Sequence, residues 1–293
     1  MPLDRFLECA LFVAGLAFGS FLNVCISRLP RDESVVTPPS HCRHCGRPIR
    51  GFDNIPLLSF VLLRGRCRQC GARISYRYPA VELMTGVLFA ACYAAFGSGW
   101  LTLKFCIFVF LLLGLIFMDA ETGLLPREFT YLGILLGLVF SCIAPPDYSG
   151  TAFLLRLFHK HVPGVHWISL LDSIIGASVG AGFFYLAWAL YYLARKRHGL
   201  GFGDIALMAM AGAFLGLKLS LLVLLFAPLL SLVFIMGWLL REAMHSGSKL
   251  KGDLPEHTPF LQRELPFGVF LGASSLAVVF AGEAAWRWYL GRF

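Results

Sequence analysis

The feature that most constrains this chain is the recurrence of apolar stretches long enough to cross a lipid bilayer. They run over Phe6–Ile26, Ala80–Phe96, Leu101–Met118, Thr130–Ala144, Leu170–Ala194, Ile205–Gly216, Leu219–Leu240 and Phe267–Tyr289. A span needs about 20 mostly apolar residues to cover a hydrocarbon core roughly 30 Å thick, and two of the eight stretches are short. Hydrophobic residues make up 58% of the 293 positions and charged ones 14%. Mean hydropathy is +0.73, which excludes an ordinary soluble domain. The expected fold is an all-α polytopic membrane protein with about eight transmembrane helices, in contact with lipid along most of its length. The first stretch resembles a signal peptide in length, but its flank "MPLDR" carries no net charge while "SRLPR" after it is basic. It therefore reads as a retained first span.

A net charge of +8 invites a nucleic-acid reading, and its distribution argues against one. Basic residues crowd into Arg28–Arg77, "RKRH" at 195–198 and Arg241–Lys251. With the spans above, all three segments fall on one side of the membrane, and a Lys/Arg excess marks the cytoplasmic side. Both termini then lie outside, with His161 and Phe293, while Arg43, Lys196 and Lys249 lie in the cytoplasm. The loop Pro145–Ile168 reads as a short amphipathic cover and the stretch 245–259 as a flexible loop.

One soluble piece is large enough to fold by itself. The chain divides into a first transmembrane helix (1–28), a cytoplasmic insert (29–79) and a membrane-embedded core (80–293). The insert contains "CRHC" at 42–45 and "CRQC" at 67–70. Two C-x-x-C knuckles at this separation suit a zinc ribbon: each closes two thiolates on one ion, and Cys42, Cys45, Cys67 and Cys70 complete its shell. A reducing compartment disfavours the alternative of two disulfides. Cys9, Cys25, Cys92, Cys106 and Cys142 fall in apolar stretches and read as small buried hydrophobes.

Ionisable residues at membrane depth are costly and are functional candidates by default. Six lie in or beside spans: Glu82, Lys104, Asp119, Asp172, Asp204 and Glu283. Lys104, Asp172 and Glu283 sit near span ends, where snorkelling to the headgroups is expected. Glu82 is a possible partner for Arg77 or Arg73. Asp119 ends the third span and Asp204 begins the sixth, so an even number of crossings separates them and both reach the cytoplasmic face. Two carboxylates brought close share a proton, one serving as general base on a water and the other polarising a scissile carbonyl. Gly201 and Gly203 are expected to supply positive φ and close backbone approach, and Pro126 ends helix beyond Asp119. Glu121 and Glu128 lie beside Asp119 and add negative potential there. A proton-coupled transporter and a non-enzymatic assembly factor are the alternatives for the same residues.

Further segments occur in a fixed order: "GSFLNVCISRLP" at 19–30, the two knuckles, "NIPLLSFVLLRGRC" at 54–67, "RISYRYPAVELMTG" at 73–86, Asp119 through Pro126, "GFGD" at 201–204 and "LPFGVFLG" at 265–272. Together they resemble the prepilin peptidases, or type IV leader peptidases, across nearly the whole chain. The resemblance implies that Asp119 and Asp204 are the catalytic pair. It implies cleavage of the basic leader of type IV prepilins and pseudopilins at the cytoplasmic face of the bacterial inner membrane. It further implies N-methylation of the new terminus from S-adenosylmethionine. The chain departs from the family pattern at Ala206, where Lys is common, at Arg127, and in "PFGV" for the commoner Pro-Phe-Gly-Pro.

Overall fold

The computed structural model describes residues 2–145, 164–196, 201–246 and 266–290. The described residues form helices: α1 (Pro2–Arg28), the short α2 (Leu58–Leu62), α3 (Arg77–Phe96), α4 (Trp100–Thr122), α5 (Arg127–Ile143), α6 (Val165–Arg195), α7 (Phe202–Ser246) and α8 (Phe267–Leu290). Six of them are long and apolar enough to cross a membrane, and the protein is a multi-pass membrane protein. His161, Lys249 and Phe293, used above to orient the chain, lie outside the described residues.

The count of eight expected stretches and that of six long helices meet in α5 and α7. Helix α5 has 17 residues, about 25 Å at about 1.5 Å each, which is short of a full hydrocarbon core. Helix α7 has 45 residues and, if straight, would run about 68 Å, more than twice that core. It is not straight: Gly216 has φ 74° and ψ −180°, and the chain turns there. Its contacts prove the reversal. In the first arm (202–215), Gly180 of α6 meets Met208, and Trp188 of α6 meets Phe202 with ring centroids 5.1 Å apart. In the second arm (217–246), Lys218 pairs with Glu283 while Phe234 meets Phe270, which runs antiparallel to α8. The two arms cross in opposite senses, as the separate stretches Ile205–Gly216 and Leu219–Leu240 require.

The remaining directions follow from similar pairs. Asp4 of α1 meets Tyr93 of α3, and Asn23 meets Tyr78, so these helices are antiparallel. Ile116 of α4 packs on Gly272 of α8, and Phe108 of α4 stacks on Phe214 of α7 at 4.5 Å. The core surrounds α4, where Phe108, Leu112, Leu113, Leu115 and Met118 are fully buried. The end of α1, the starts of α3, α5, α7 and α8 and the end of α6 all lie at one end of the bundle, with the 29–76 insert. The opposite end is called the far end below.

Three sequence expectations about buried charge are corrected. Lys104 and Asp172 do not snorkel: both are buried, Lys104 lies within reach of the Asp172 charge, and Asp172 faces the turn at Gly216. A helix end in a bundle is roofed by its neighbours, a fact that span boundaries do not reveal. Glu82 pairs with neither Arg77 nor Arg73; its Oε2 accepts the Leu57 N–H at 2.9 Å. Cys9 and Cys142 are exposed on the bundle surface, whereas Cys25, Cys92 and Cys106 are buried as expected.

Candidate active site and metal centre

At the insert end, α4 stops at Thr122 because Gly123 takes the left-handed conformation, φ 66°, and Pro126 then caps α5. Asp119 sits in the last turn of α4 and is 5% exposed; Asp204 sits in the first turn of α7 and is 9% exposed. Each lies on a different helix, and Asp204 is within the electrostatic field of Asp119. Isolated buried carboxylates are costly, and both receive backbone donors. Asp119 Oδ2 accepts the Val269 N–H at 3.0 Å, and its carboxylate accepts a second amide from Gly268. Asp204 accepts the Gly201 amide. The start of α8 thus presents its unpaired N–H groups to Asp119.

The glycines around the pair act through size. A Cβ on Gly268 would lie 2.8 Å from Asp119 Oδ2. Gly201 and Gly203 do not supply positive φ, since neither is among the residues with that conformation. Gly203 is instead the seat of Leu125, whose Cβ would be 2.8 Å from an added methyl. Leu125 also touches Gly268, so one side chain of the 123–126 loop packs the starts of α7 and α8 together and draws the two aspartates into one site. Glu121 forms a 2.6 Å ion pair with Arg77, so its charge is already balanced. Glu128, in the first turn of α5, remains exposed.

The insert brings its four cysteines together. The Sγ atoms of Cys42, Cys45, Cys67 and Cys70 all lie within 4.8 Å of one another, with Cys42 and Cys70 3.9 Å apart. Four thiolates around an ion at about 2.3 Å would stand about 3.8 Å apart. The two knuckles repeat one another: Cys42 N–H donates to Arg47 O and Gly46 N–H to Cys42 O, while Cys67 N–H donates to Ala72 O and Gly71 N–H to Cys67 O. Amides of Cys70 and Gln69 pull the Cys67 thiol down to about 7. Cys70 receives the Ala72 amide, yet desolvation and the crowding of Cys67, Cys45 and Cys42 push it up to about 11. A cation among the four sulfurs would favour the thiolate of Cys70 as well as that of Cys67. The donor set fits a structural metal ion.

These two sites fall in two matched regions. Residues 13–96 match the Bacterial Peptidase A24 N-terminal domain, and residues 106–236 match the Type IV leader peptidase family. A prepilin leader peptidase/N-methyltransferase of Aeromonas hydrophila is 33% identical over 309 residues, covering 96% of this chain and 93% of the relative. The chain belongs to the type IV leader peptidase family. A protein of the same description from Neisseria gonorrhoeae is 33% identical over 305 residues, covering 95% of this chain and 93% of its own. One from Myxococcus xanthus is 41% identical over 223 residues, and there the match spans 75% of this chain but 59% of the relative. No solved structure matches the chain. Within the family frame, the four cysteines lie in the first matched region, and Asp119 and Asp204 lie in the second.

Sequence reasoning missed the backbone donors of the aspartate site. The amides of Gly268 and Val269 were hidden because backbone donors leave no residue signature, although "LPFGVFLG" marks the segment. At the far end, away from both sites, Lys218 pairs with Glu283 at 2.7 Å; it fell in the gap between two apolar stretches.

Proposed function

We propose that the protein is an aspartic endopeptidase that removes the basic leader of type IV prepilins and related pseudopilins, with Asp119 and Asp204 as its catalytic pair. One observation carries this reading: two carboxylates from different helices are buried at the same end of the bundle, within each other's field. One aspartate takes a proton from a water as its oxygen attacks the scissile carbonyl carbon. The other protonates the carbonyl oxygen. Collapse of the tetrahedral diol breaks the C–N bond, and the departing nitrogen collects a proton from the site. The amides of Gly268 and Val269 hold the Asp119 carboxylate at the start of α8. Neither the transporter nor the assembly-factor alternative finds support in the relatives.

The membrane is proposed to be the bacterial inner membrane, with the insert end in the cytoplasm, consistent with the basic segments gathered there. The substrate's apolar helix then stays in the bilayer while its Lys/Arg leader stays in water, and the scissile bond meets the site at their boundary. We propose the division into a first helix (1–28), a four-cysteine insert (29–79) and a peptidase core (80–293). The ion in the insert is proposed to be zinc, bound by Cys42, Cys45, Cys67 and Cys70 with no open position for water. The second activity is N-methylation of the amine freed by cleavage, for which S-adenosylmethionine supplies the methyl group.

The test is leader cleavage by the purified full-length protein. Asp119→Asn and Asp204→Asn should each lower the rate by a factor of about 100 or more, with membrane insertion and metal content retained. Substantial cleavage by either folded variant would sink the aspartic mechanism.

A further inference from the structure

Beside the insert lies a cleft of about 990 Å³, walled by the end of α1, the start of α3, the insert and Glu121 of α4. This is the size of a pocket for a small organic ligand, and nothing in the cleavage chemistry uses it. Its lining holds a set of buried polar groups whose bonding is incomplete. Asn23 is 2% exposed; its Nδ2 donates to Tyr78 O at 3.0 Å, while its Oδ1 has no partner among the described residues. Arg77 donates both hydrogen bonds to Glu121 from Nη1. Its Nε and Nη2 are buried and have no partner among the described residues. Those two nitrogens form the edge of a guanidinium that grips a carboxylate with two parallel bonds.

Glu82 supplies the opposite charge. Of the other carboxylates lining the cleft, Asp53 is paired with Arg68 and Glu121 with Arg77, and Glu33 is exposed to solvent. Glu82 is buried and takes only neutral donors among the described residues, from Leu57 N–H and the Ser20 hydroxyl. A buried carboxylate without a cation is costly. The wall of the cleft therefore holds an unused two-point donor edge, a buried carboxylate without a cation and a lone acceptor. All three stand on the seam of α1 and α3, where Asn23 bonds the residue after Arg77 and Glu82 follows one turn later.

We infer that this cleft binds S-adenosylmethionine, with Arg77 receiving the carboxylate of its amino-acid end and Glu82 and Asn23 receiving the ammonium. Phe60, Leu63 and Ile74, also in the lining, provide apolar surface for the purine. Glu121, shared between the cleft and the last turns of α4, puts the cleft at the same end of the bundle as Asp119. A freshly cut amine would thus emerge on the side where its methyl donor is held. This inference rests on the methyltransferase reading given above.

The experiment measures binding of three labelled compounds to the full-length, metal-loaded protein in detergent. They are S-adenosylmethionine, its product S-adenosylhomocysteine, and 5′-methylthioadenosine, which lacks the amino-acid end. Glu82→Gln keeps an acceptor for Leu57 and removes the charge; Arg77→Lys keeps a cation for Glu121 and removes the two-point edge. Each should weaken S-adenosylmethionine and S-adenosylhomocysteine by about tenfold or more, the scale of one charged hydrogen bond. Methylthioadenosine binding should stay within about twofold, which also establishes that the variants are folded. Unchanged affinity for S-adenosylmethionine, or equal loss of all three compounds, would overturn the placement. If the unaltered protein binds none of them, the methyltransferase reading itself fails, an outcome distinct from that of the variants.

Discussion

Asp119 is held by an amide 150 positions away in the chain, which is why residue-level reading found the carboxylate but not its clamp. Charge at membrane depth made Asp119 and Asp204 visible, because such charges are rare and costly. Donors from Gly268 and Val269 are backbone atoms, and only folding brings them into range. Gly268→Ala tests the clamp. The added methyl would push the Asp119 carboxylate off the start of α8, so kcat for leader cleavage should fall by about tenfold to a hundredfold. KM should hardly change, since no substrate contact is removed. An equal rise in KM would point to a substrate-binding role instead. The cysteines were legible for the opposite reason: their C-x-x-C spacing is local geometry, and it carries straight into the knuckles. Cys45→Ser should lower bound metal, measured by elemental analysis, to well under half an ion per chain. With one thiolate gone, the three that remain cannot close the tetrahedral shell.

At the scale of the helix, apolar run length set most of the bounds. The stretch beginning at Phe267 became α8, and Leu101–Met118 became the centre of α4. Two boundaries were not legible. Helix α6 starts at Val165 rather than Leu170, since helix continues through interfacial residues such as His166 and Trp167 that a hydropathy scan trims away. The hinge of α7 is a single glycine between two apolar arms, and no polar loop announces it. Gly216 bears two burdens at once: its φ is 74°, and a Cβ there would collide with the Asp172 carboxylate. Gly216→Ala should therefore destabilise the protein by about 2 kcal/mol or more, read as a lower thermal unfolding midpoint in detergent. Gly237→Ala is the control in the second arm of α7, where an added Cβ meets nothing within 4 Å. That change should be neutral or slightly stabilising, by up to about 1 kcal/mol.

For the whole molecule, the chemistry depends on which end of the bundle faces which compartment. All basic clusters in described segments, from Arg28 to Lys196, collect at the insert end, and the aspartate pair opens there too. The pairing of Glu121 with Arg77 removes one charge that would have drawn in a basic leader. Exposed Glu128 is left beside the site, and its attraction is worth about 1 kcal/mol or less in salt. Capture of the leader then rests mainly on topology: the apolar part of the substrate is confined to the bilayer, and the site waits at the only depth where the scissile bond can be. Single cysteines at two exposed positions test this. Val36 lies in the insert and is 79% exposed; Ser98 lies in the exposed turn between α3 and α4 at the far end. With Cys9 and Cys142 replaced by serine, a membrane-impermeant maleimide added to cells with an opened outer barrier should label Ser98→Cys. It should reach Val36→Cys only after the inner membrane is permeabilised. Labelling of both from the same side would put the far end and the insert in one compartment, and two aspartates at the insert end would then have no leader to cut.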